Sequence, residues 1–525
     1  MRQNGEYMDN CDKEYMKMHR EADIYTDSSA DYSLPDYNGD IKKVLFTSAN
    51  VLPAAKINDS ESVSSSGVVS YDILYINEEN ELDHVSFTSD YDVSAKLRSQ
   101  GVCGADVETR VSSFSHRLFG PRRVNMKATL LSEVRAICTE ELDGADKIRE
   151  NPDAECVIKN IEVANTLLSH SAEREYAECI AKLDGVIADE VDVLYSTASY
   201  GFDSVKAEEG GVALKGAFYI SAILRCDGAA PALYRKRIPF DELIETEGVG
   251  ANMSVLASAV VSSLVCETVG NDDGASVNAS IIAEYSFTCT ENKSHSFVKD
   301  AFLKSADCEN SYEKINYTTH LATESKILNY TYTIPFSDVC ESAVRSVIYT
   351  SAPTRISNVE LTENGVCTEV EFKINGICST IDEDGKVGYF ALKSASKTNE
   401  KVNLGSQICE KTAVECKART IDAVATIDEE NIYIDITYAI DVDATVSNSE
   451  LSLSDIHAKD GDEIKPRGSK ISVYYPTGED SLFSVARMYH TSVKDIAALN
   501  MLSESVINNF SDKSSLSGVK RLIIK

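Results

Sequence analysis

The sequence predicts a mainly β fold: three tandem β-sandwich-like modules followed by a small strand–helix–helix–strand domain. The first observation behind this is a repeat. VLFTSAN at residues 44–50 returns as VLYSTAS at 193–199 and as VIYTSAP at 347–353. Signals recur behind each copy. An apolar residue lies thirty positions on (Leu74, Ile223, Ile377), with a polar turn close after it (NEEN, CDGA, DEDG). An aromatic follows (Phe87, Phe240, Phe390), then a second alternating run beginning at Val124, Val277 and Ile432. A period of about 150 residues marks tandem modules of one kind, each long enough to bury a core. The second observation is alternation of apolar and polar residues, the pattern of a strand with one face on a core.

In chain order, residues 1–30 are polar and read as a flexible segment with at best a weak helix. Module one spans 31–140. Pro35 extends the chain and Asn38-Gly39 turns it. GVVSYDILYI (67–76), VETRVSSF (107–114) and RVNMKATLLSEV (123–134) read as strands, with a turn at Phe119-Gly120-Pro121. Residues 141–185 form a helical or irregular connector, because AEREYAECIAKL (172–183) sets Tyr176, Ile180 and Leu183 at helical spacing. Module two, 186–300, carries ALKGAFYISAILR, RIPF, SVLASAVVSSLV and ASVNASIIAEYSF. A second connector covers 301–340. Module three, 341–450, carries TEVEFKINGICSTI, TAVECKARTIDAVATI and NIYIDITYAIDVDATV. Residues 451–470, with KDGDEIKPRGS, have linker composition, and the small domain occupies 471–525.

Composition bounds the function. The chain has 525 residues, 43% of them hydrophobic and 26% charged, as expected of a soluble globular protein. A formal net charge of −33 makes nucleic acid a poor partner. The fourteen cysteines include no CxxC pair and no Cys/His cluster at metal-ligand spacing, so buried free thiols are expected and neither metal nor cofactor. The N-terminal residues lack a signal-peptide core, and 251–266 falls short of a membrane span. The expectation is a cytoplasmic protein with no integral membrane segment.

In the last domain, ISVYYP is a short strand and GEDS a turn able to cap a helix. Leu482, Val485, Ala486 and Tyr489 recur at i, i+3, i+4 and i+7. Ser492 with Asp495 caps a second helix, Asn500 ends it, and RLIIK closes as a strand. GEDSLFSVARMYHTSVKDIAALN resembles a LysM domain. Three departures stand out: an extra Glu479, Phe483 where tryptophan is common, and a longer loop over 503–517. The resemblance implies a shallow groove for N-acetylglucosamine polymers such as peptidoglycan. Its first loop would comprise Gly478, Glu479, Asp480, Ser481, Leu482 and Phe483, and its second side Asn500, Met501 and Leu502. Capping alone also explains Gly478, Asp480 and Ser481. With no tryptophan, sugar affinity would rest on backbone amides and on Tyr474, Tyr475 or Phe483.

Upstream, LPDYNGDIKKVL (34–45), GVVSYDILY (67–75), RRVNMKATL (122–130), LYRKRIPF (233–240) and FVKDAF (297–302) resemble SPOCS domains. These occur in tandem, followed by LysM, in SipL-like clostridial spore-coat morphogenesis proteins. That resemblance implies a non-enzymatic scaffold on the mother-cell side of the forespore. Its LysM domain would dock on the coat's morphogenetic ATPase instead of, or besides, binding glycan.

Catalytic constellations are not evident. Ser311 and Lys314 fit SxxK without the companion KTG or SDN, and there is no GxSxG, Walker or HExxH motif. The acidic runs at 382–384 and 428–430 read as solvated turns. The basic runs Arg122-Arg123 and Arg235-Lys236-Arg237 read as strand-edge charges, with contact to an acidic partner as the alternative. His490 reads as a residue at the end of the first helix. No catalytic residue is expected.

Overall fold

The computed structural model describes residues 13–525 apart from 53–54, 60, 171–172, 227–228, 272–273, 340–343, 382–385, 460–470 and 514. The alternating runs fold as antiparallel strands whose apolar parity faces inward. Module one holds β1 (Glu14–Ser33), β2 (Lys43–Val51), β3 (Ala55–Asn58), β4 (Ser62–Ile76), β5 (Leu82–Lys96), β6 (Val102–Gly120) and β7 (Arg123–Glu141). One sheet runs β1-β7-β6. In the other, β4 lies between β5 and the pair β2 and β3. Val124, Met126, Ala128 and Leu130 of β7 are fully buried against Val63, Tyr71 and Ile73 of β4. Each large apolar side chain so buried contributes about 1.5–3 kcal/mol.

Module two adds α1 (Asp146–Arg149), β8 (Ala154–His170), β9 (Arg174–Asp184), β10 (Val191–Glu208), β11 (Gly211–Cys226), β12 (Ala232–Glu245), β13 (Ser254–Asn271) and β14 (Gly274–Leu303). Module three has β15 (Cys308–Pro335), β16 (Val344–Ser351), β17 (Thr354–Thr362), β18 (Gly365–Ile381), β19 (Val387–Asn403), β20 (Thr412–Ile427) and β21 (Asn431–Ala458). The plan is the same each time. The last strand runs between the first and the penultimate (β8 and β9 with β14 and β13; β15 with β21 and β20), and the remaining strands form the facing sheet. The chain ends in β22 (Ser472–Tyr474), α2 (Leu482–Tyr489), α3 (Val493–Leu499), α4 (Glu504–Asn508) and β23 (Leu522–Ile524).

The repeated motif lies where the three modules meet. In each copy the pairing register slips at its second residue, between Val44 and Phe46, Val193 and Tyr195, and Val347 and Tyr349. Such a bulge turns two consecutive side chains to one side. Leu45 with Phe46, Leu194 with Tyr195, and Ile348 with Tyr349 therefore enter one shared apolar cluster. The cross-strand partners of the three aromatics, Leu74, Ile223 and Ile377, complete it. Ring centroids lie 6.1 Å apart for Phe46–Tyr195, 5.0 Å for Phe46–Tyr349 and 5.2 Å for Tyr195–Tyr349. Burial raises both phenols, that of Tyr349 to about 12. The aromatic anchors Phe87, Phe240 and Phe390 are not equivalent in register, since they pair with Tyr71, Gly216 and Cys378.

Polar clasps reinforce this junction. Asn292 of β14 bonds both backbone groups of His320 on β15, at 2.9 and 2.8 Å. Lys417 of β20 reaches Glu108 of β6 at 2.5 Å, and the Arg419 guanidinium lies over Tyr200 at 4.9 Å. Three sandwiches thus share one centre.

Several expectations are corrected. Residues 14–33 are not flexible or helical but an edge strand held along its length by β7. The connector over 141–185 contains β8 and β9, which belong to the module two sheet. From Arg174 onward the supposed helix at 172–183 is β9, in which Ile180 is the extra residue of a bulge. The connector over 301–340 is largely β15, the first strand of module three. Of the expected linker, 451–458 is the end of β21, whereas 460–470 lies outside the described residues. The turns at 227–228 and 382–385 lie outside them too.

The basic runs are anchors, more than edge charges. Arg122 bonds Asp40 and the Pro35 carbonyl, both at 2.6 Å, pinning the entry turn. Arg235 pairs with Asp422 of module three and bonds the Ala423 carbonyl at 2.9 Å. Ser311 and Lys314 lie on a strand, where positions i and i+3 face opposite sides. The Asp428 carboxylate accepts from the amides of Glu430 and Asn431 at 2.8 and 2.7 Å, which makes it a turn residue. The twelve described cysteines are free thiols, and burial lifts that of Cys289 to about 11.

Candidate binding site

The C-terminal domain is built from its turn outward. The Asp480 carboxylate accepts from the Tyr474 hydroxyl and from the Thr477 amide and hydroxyl, each at 2.8 Å. Those donors hold its pKa below the usual carboxylate value. One residue on, Ser481 caps α2: its hydroxyl accepts from the Ser484 amide, and its own amide donates to the Ser484 hydroxyl, both at 3.0 Å. Ser484 stands where Glu or Gln completes the usual capping box. Ser492 caps α3, accepting from the amides of Lys494 and Asp495 at 3.0 and 3.3 Å. The helices bury Leu482, Val485, Ala486, Val493, Ile496 and Ala497 against Leu522 and Ile524 of β23.

Asn500 closes the domain. Its side chain accepts from the Ile523 amide at 2.7 Å and donates to the Ile523 carbonyl at 2.7 Å and the Ile496 carbonyl at 2.8 Å. It ties the end of α3 to β23, a structural role that its place after the helix already suggests. Met501 follows with positive φ and is 92% exposed, while Leu502 is half-buried.

The long loop folds back over the first one. The Leu482 amide donates to the Ser515 hydroxyl at 3.2 Å and the Phe483 amide to the Phe510 carbonyl at 2.9 Å. The Asp480 amide is bonded to the Thr477 carbonyl. Hence the amides of 480–483 are all engaged inside the domain. Of the nine residues the sequence singles out, Ser481, Leu482 and Phe483 are buried, and Asp480, Asn500 and Leu502 are half-buried. Only Gly478, Glu479 and Met501 are open to solvent. Among the candidate stacking rings, Tyr474 is engaged with Asp480 and packs on Tyr489, and Phe483 is covered. Tyr475 stands 69% exposed.

Phe483 is covered by module two. Its ring meets Phe302 edge-on at 5.2 Å, with the Arg487 guanidinium 4.9 Å from the Phe483 ring centre. Arg487 pairs with Asp300 at 2.6 Å and bonds the Ala301 carbonyl at 3.0 Å. The end of α2 docks as well. His490, the left-handed C-cap, donates from Nδ1 to the Leu303 carbonyl at 3.2 Å, and the Val493 amide reaches Glu155 at 3.3 Å. This docking face was not legible in the sequence. Its only signal was the isolated arginine on an amphipathic helix.

Strand, helices and strand, with a capped first turn and an asparagine clasp, make up a small self-contained domain. Residues 478–508 match the LysM domain family. Comparison with curated proteins gives no match. The chain therefore carries a LysM domain at the end of a mainly β body, and no described helix is long and apolar enough to cross a membrane.

Proposed function

We propose that this protein is a non-enzymatic binding scaffold of envelope assembly, with three fused β modules as the body and the LysM domain as a recognition element. In its specific form the proposal follows the SPOCS-like segments: a cytoplasmic, mother-cell protein of the forespore surface, whose LysM domain engages a coat morphogenetic ATPase. One observation carries the choice of a protein partner over a sugar. The amides of 480–483, on which sugar affinity would rest, are spent on internal acceptors. Beside its polar groups, the LysM domain exposes apolar side chains: Val473, Tyr475, Met488, Leu499 and Met501. Such side chains suit a protein surface.

A second reading has support of its own. The LysM match itself favours glycan binding, and Tyr475 is a free ring able to stack on a sugar face. Sedimentation of the full chain with purified peptidoglycan separates the two. Under the first reading the protein stays in the supernatant, and crosslinking in sporulating cells captures a coat ATPase through the LysM surface. Co-sedimentation that Tyr475→Ser abolishes would establish the second and overturn the first.

A further inference from the structure

The three-fold repetition exposes one position where a partner is missing. In module two, Tyr195 pairs with Ile223 and Ile223 with Leu233; two residues further along β12 stands Arg235. In module three, Tyr349 pairs with Ile377 and Ile377 with Ala391, and the same step along β19 reaches Lys393. The penultimate strands share a bulge. Register slips between Thr420 and Asp422 in β20, and between Val111 and Ser113 in β6. Asp422 and Ser113 then pair with Thr437 and Thr129, each five residues beyond the anchors Ile432 and Val124. Asp422 is the carboxylate that receives Arg235 between modules two and three. At the equivalent place between modules three and one the cation is kept, as Lys393, and the carboxylate has become Ser113.

The surroundings match an unfilled site. Phe114, His116 and Leu118 of β6 pair with Ala128, Met126 and Val124, so they share the face of β7 that carries the core. Those three β7 residues are fully buried, yet Phe114 and Leu118 remain 36% and 38% exposed. Lys373 of β18 stands 5.7 Å from the centre of the Phe114 ring. Among the described residues, none of Lys373, Lys393 and Arg117 is paired to a carboxylate, in a chain of net charge −33. Moreover β6 is a sheet edge. Bulges at Ser112 and Phe119 bound a regular run of it, from Ser113 to Leu118.

We propose that this lip between modules one and three receives an acidic, partly apolar extended segment of another protein, added as a strand along residues 113–118. The partner's carboxylates would take the place that Asp422 fills beside Arg235, and its apolar side chains would cover Phe114 and Leu118. Main-chain pairing along an edge provides affinity, and the side chains on its two faces provide selectivity. Opposite charge selects an acidic sequence from a surface that otherwise repels one. The site is separate from the LysM domain and does not rest on its reading.

The test uses the full chain and a labelled octapeptide of alternating glutamate and valine, with its glutamine counterpart as control, followed by fluorescence anisotropy. Saturable binding is expected, weaker by about tenfold or more for the glutamine peptide and for the Lys373→Ser/Lys393→Ser variant, as loss of charge-assisted bonds implies. Phe114→Ser should weaken it comparably, and Lys393→Arg should retain it. All these residues are exposed, and an unchanged thermal midpoint confirms that the variants fold. Equal binding of both peptides, indifference to the lysine variant, or no saturable binding would each overturn the proposal. So would a dimer that Phe114→Ser dissolves, which would make a second copy of this chain the occupant.

Discussion

Replacing Tyr349 by alanine probes whether the three modules are one cooperative body. The side chain is buried in the shared cluster, with ring centres 5.0 Å from Phe46 and 5.2 Å from Tyr195. Truncating a buried aromatic costs about 3–5 kcal/mol in lost transfer energy and residual cavity. That loss is a large fraction of the roughly 5–15 kcal/mol typical of a folded domain. Because Phe46 belongs to module one and Tyr195 to module two, the loss must reach all three. Hydrogen exchange read peptide by peptide should show protection falling together in β4, β11 and β18. Tyr349→Phe keeps the ring and should cost only about 1 kcal/mol. Protection lost in 344–458 alone would refute the shared core as a cooperative unit.

Four further outcomes follow from the C-terminal domain. Ser481→Ala should destabilise it by about 1 kcal/mol through loss of the α2 cap, read as faster exchange in 482–489. Asn500→Ala removes three hydrogen bonds, two to Ile523 of β23 and one to Ile496 of α3, and should cost about 2–3 kcal/mol, with β23 amides losing protection first. Asp480 titrates below its ordinary 3.8 when folded, so its contribution is whole above that pH and fades as pH falls through the lower folded value. Asp480→Asn should therefore flatten the loss of the domain's stability as pH falls below 3.8, measured by exchange at each pH. Arg487→Ala should loosen the domain from module two at a cost of about 1–2 kcal/mol, its ion pair being partly exposed, and raise the radius of gyration in small-angle scattering.

Alternation was readable wherever one strand face meets a core and the other meets water. β14 follows it from Gly274 to Cys289, and β7 and β21 follow it from Arg123 to Leu130 and from Asn431 to Tyr438. It failed where a bulge intervened. In β9 the extra residue Ile180 flips parity, so Tyr176, Ile180 and Leu183 face the core at a spacing that imitates a helix. It failed again for edge strands. β1 and β15 are largely polar and half-exposed, and their order comes from hydrogen bonds to β7 and β21, roughly a hundred residues away in the chain. The LysM turn was legible because capping is local. The covering of Phe483 by Phe302 was not, because those residues meet only once module two is folded.

What the sequence determined alone is therefore local and periodic: the strand-rich class, the threefold repetition, the capped helices and the small closing domain. Tertiary structure decided where the repeated motif points and which of its neighbours it unites. It also decided which predicted loop residues face solvent. Register and bulges are fixed by pairing between distant strands, and a slip of one position exchanges a strand's buried and exposed faces. No local pattern specifies that slip, whereas caps and turns are satisfied within a few residues and are written where they act.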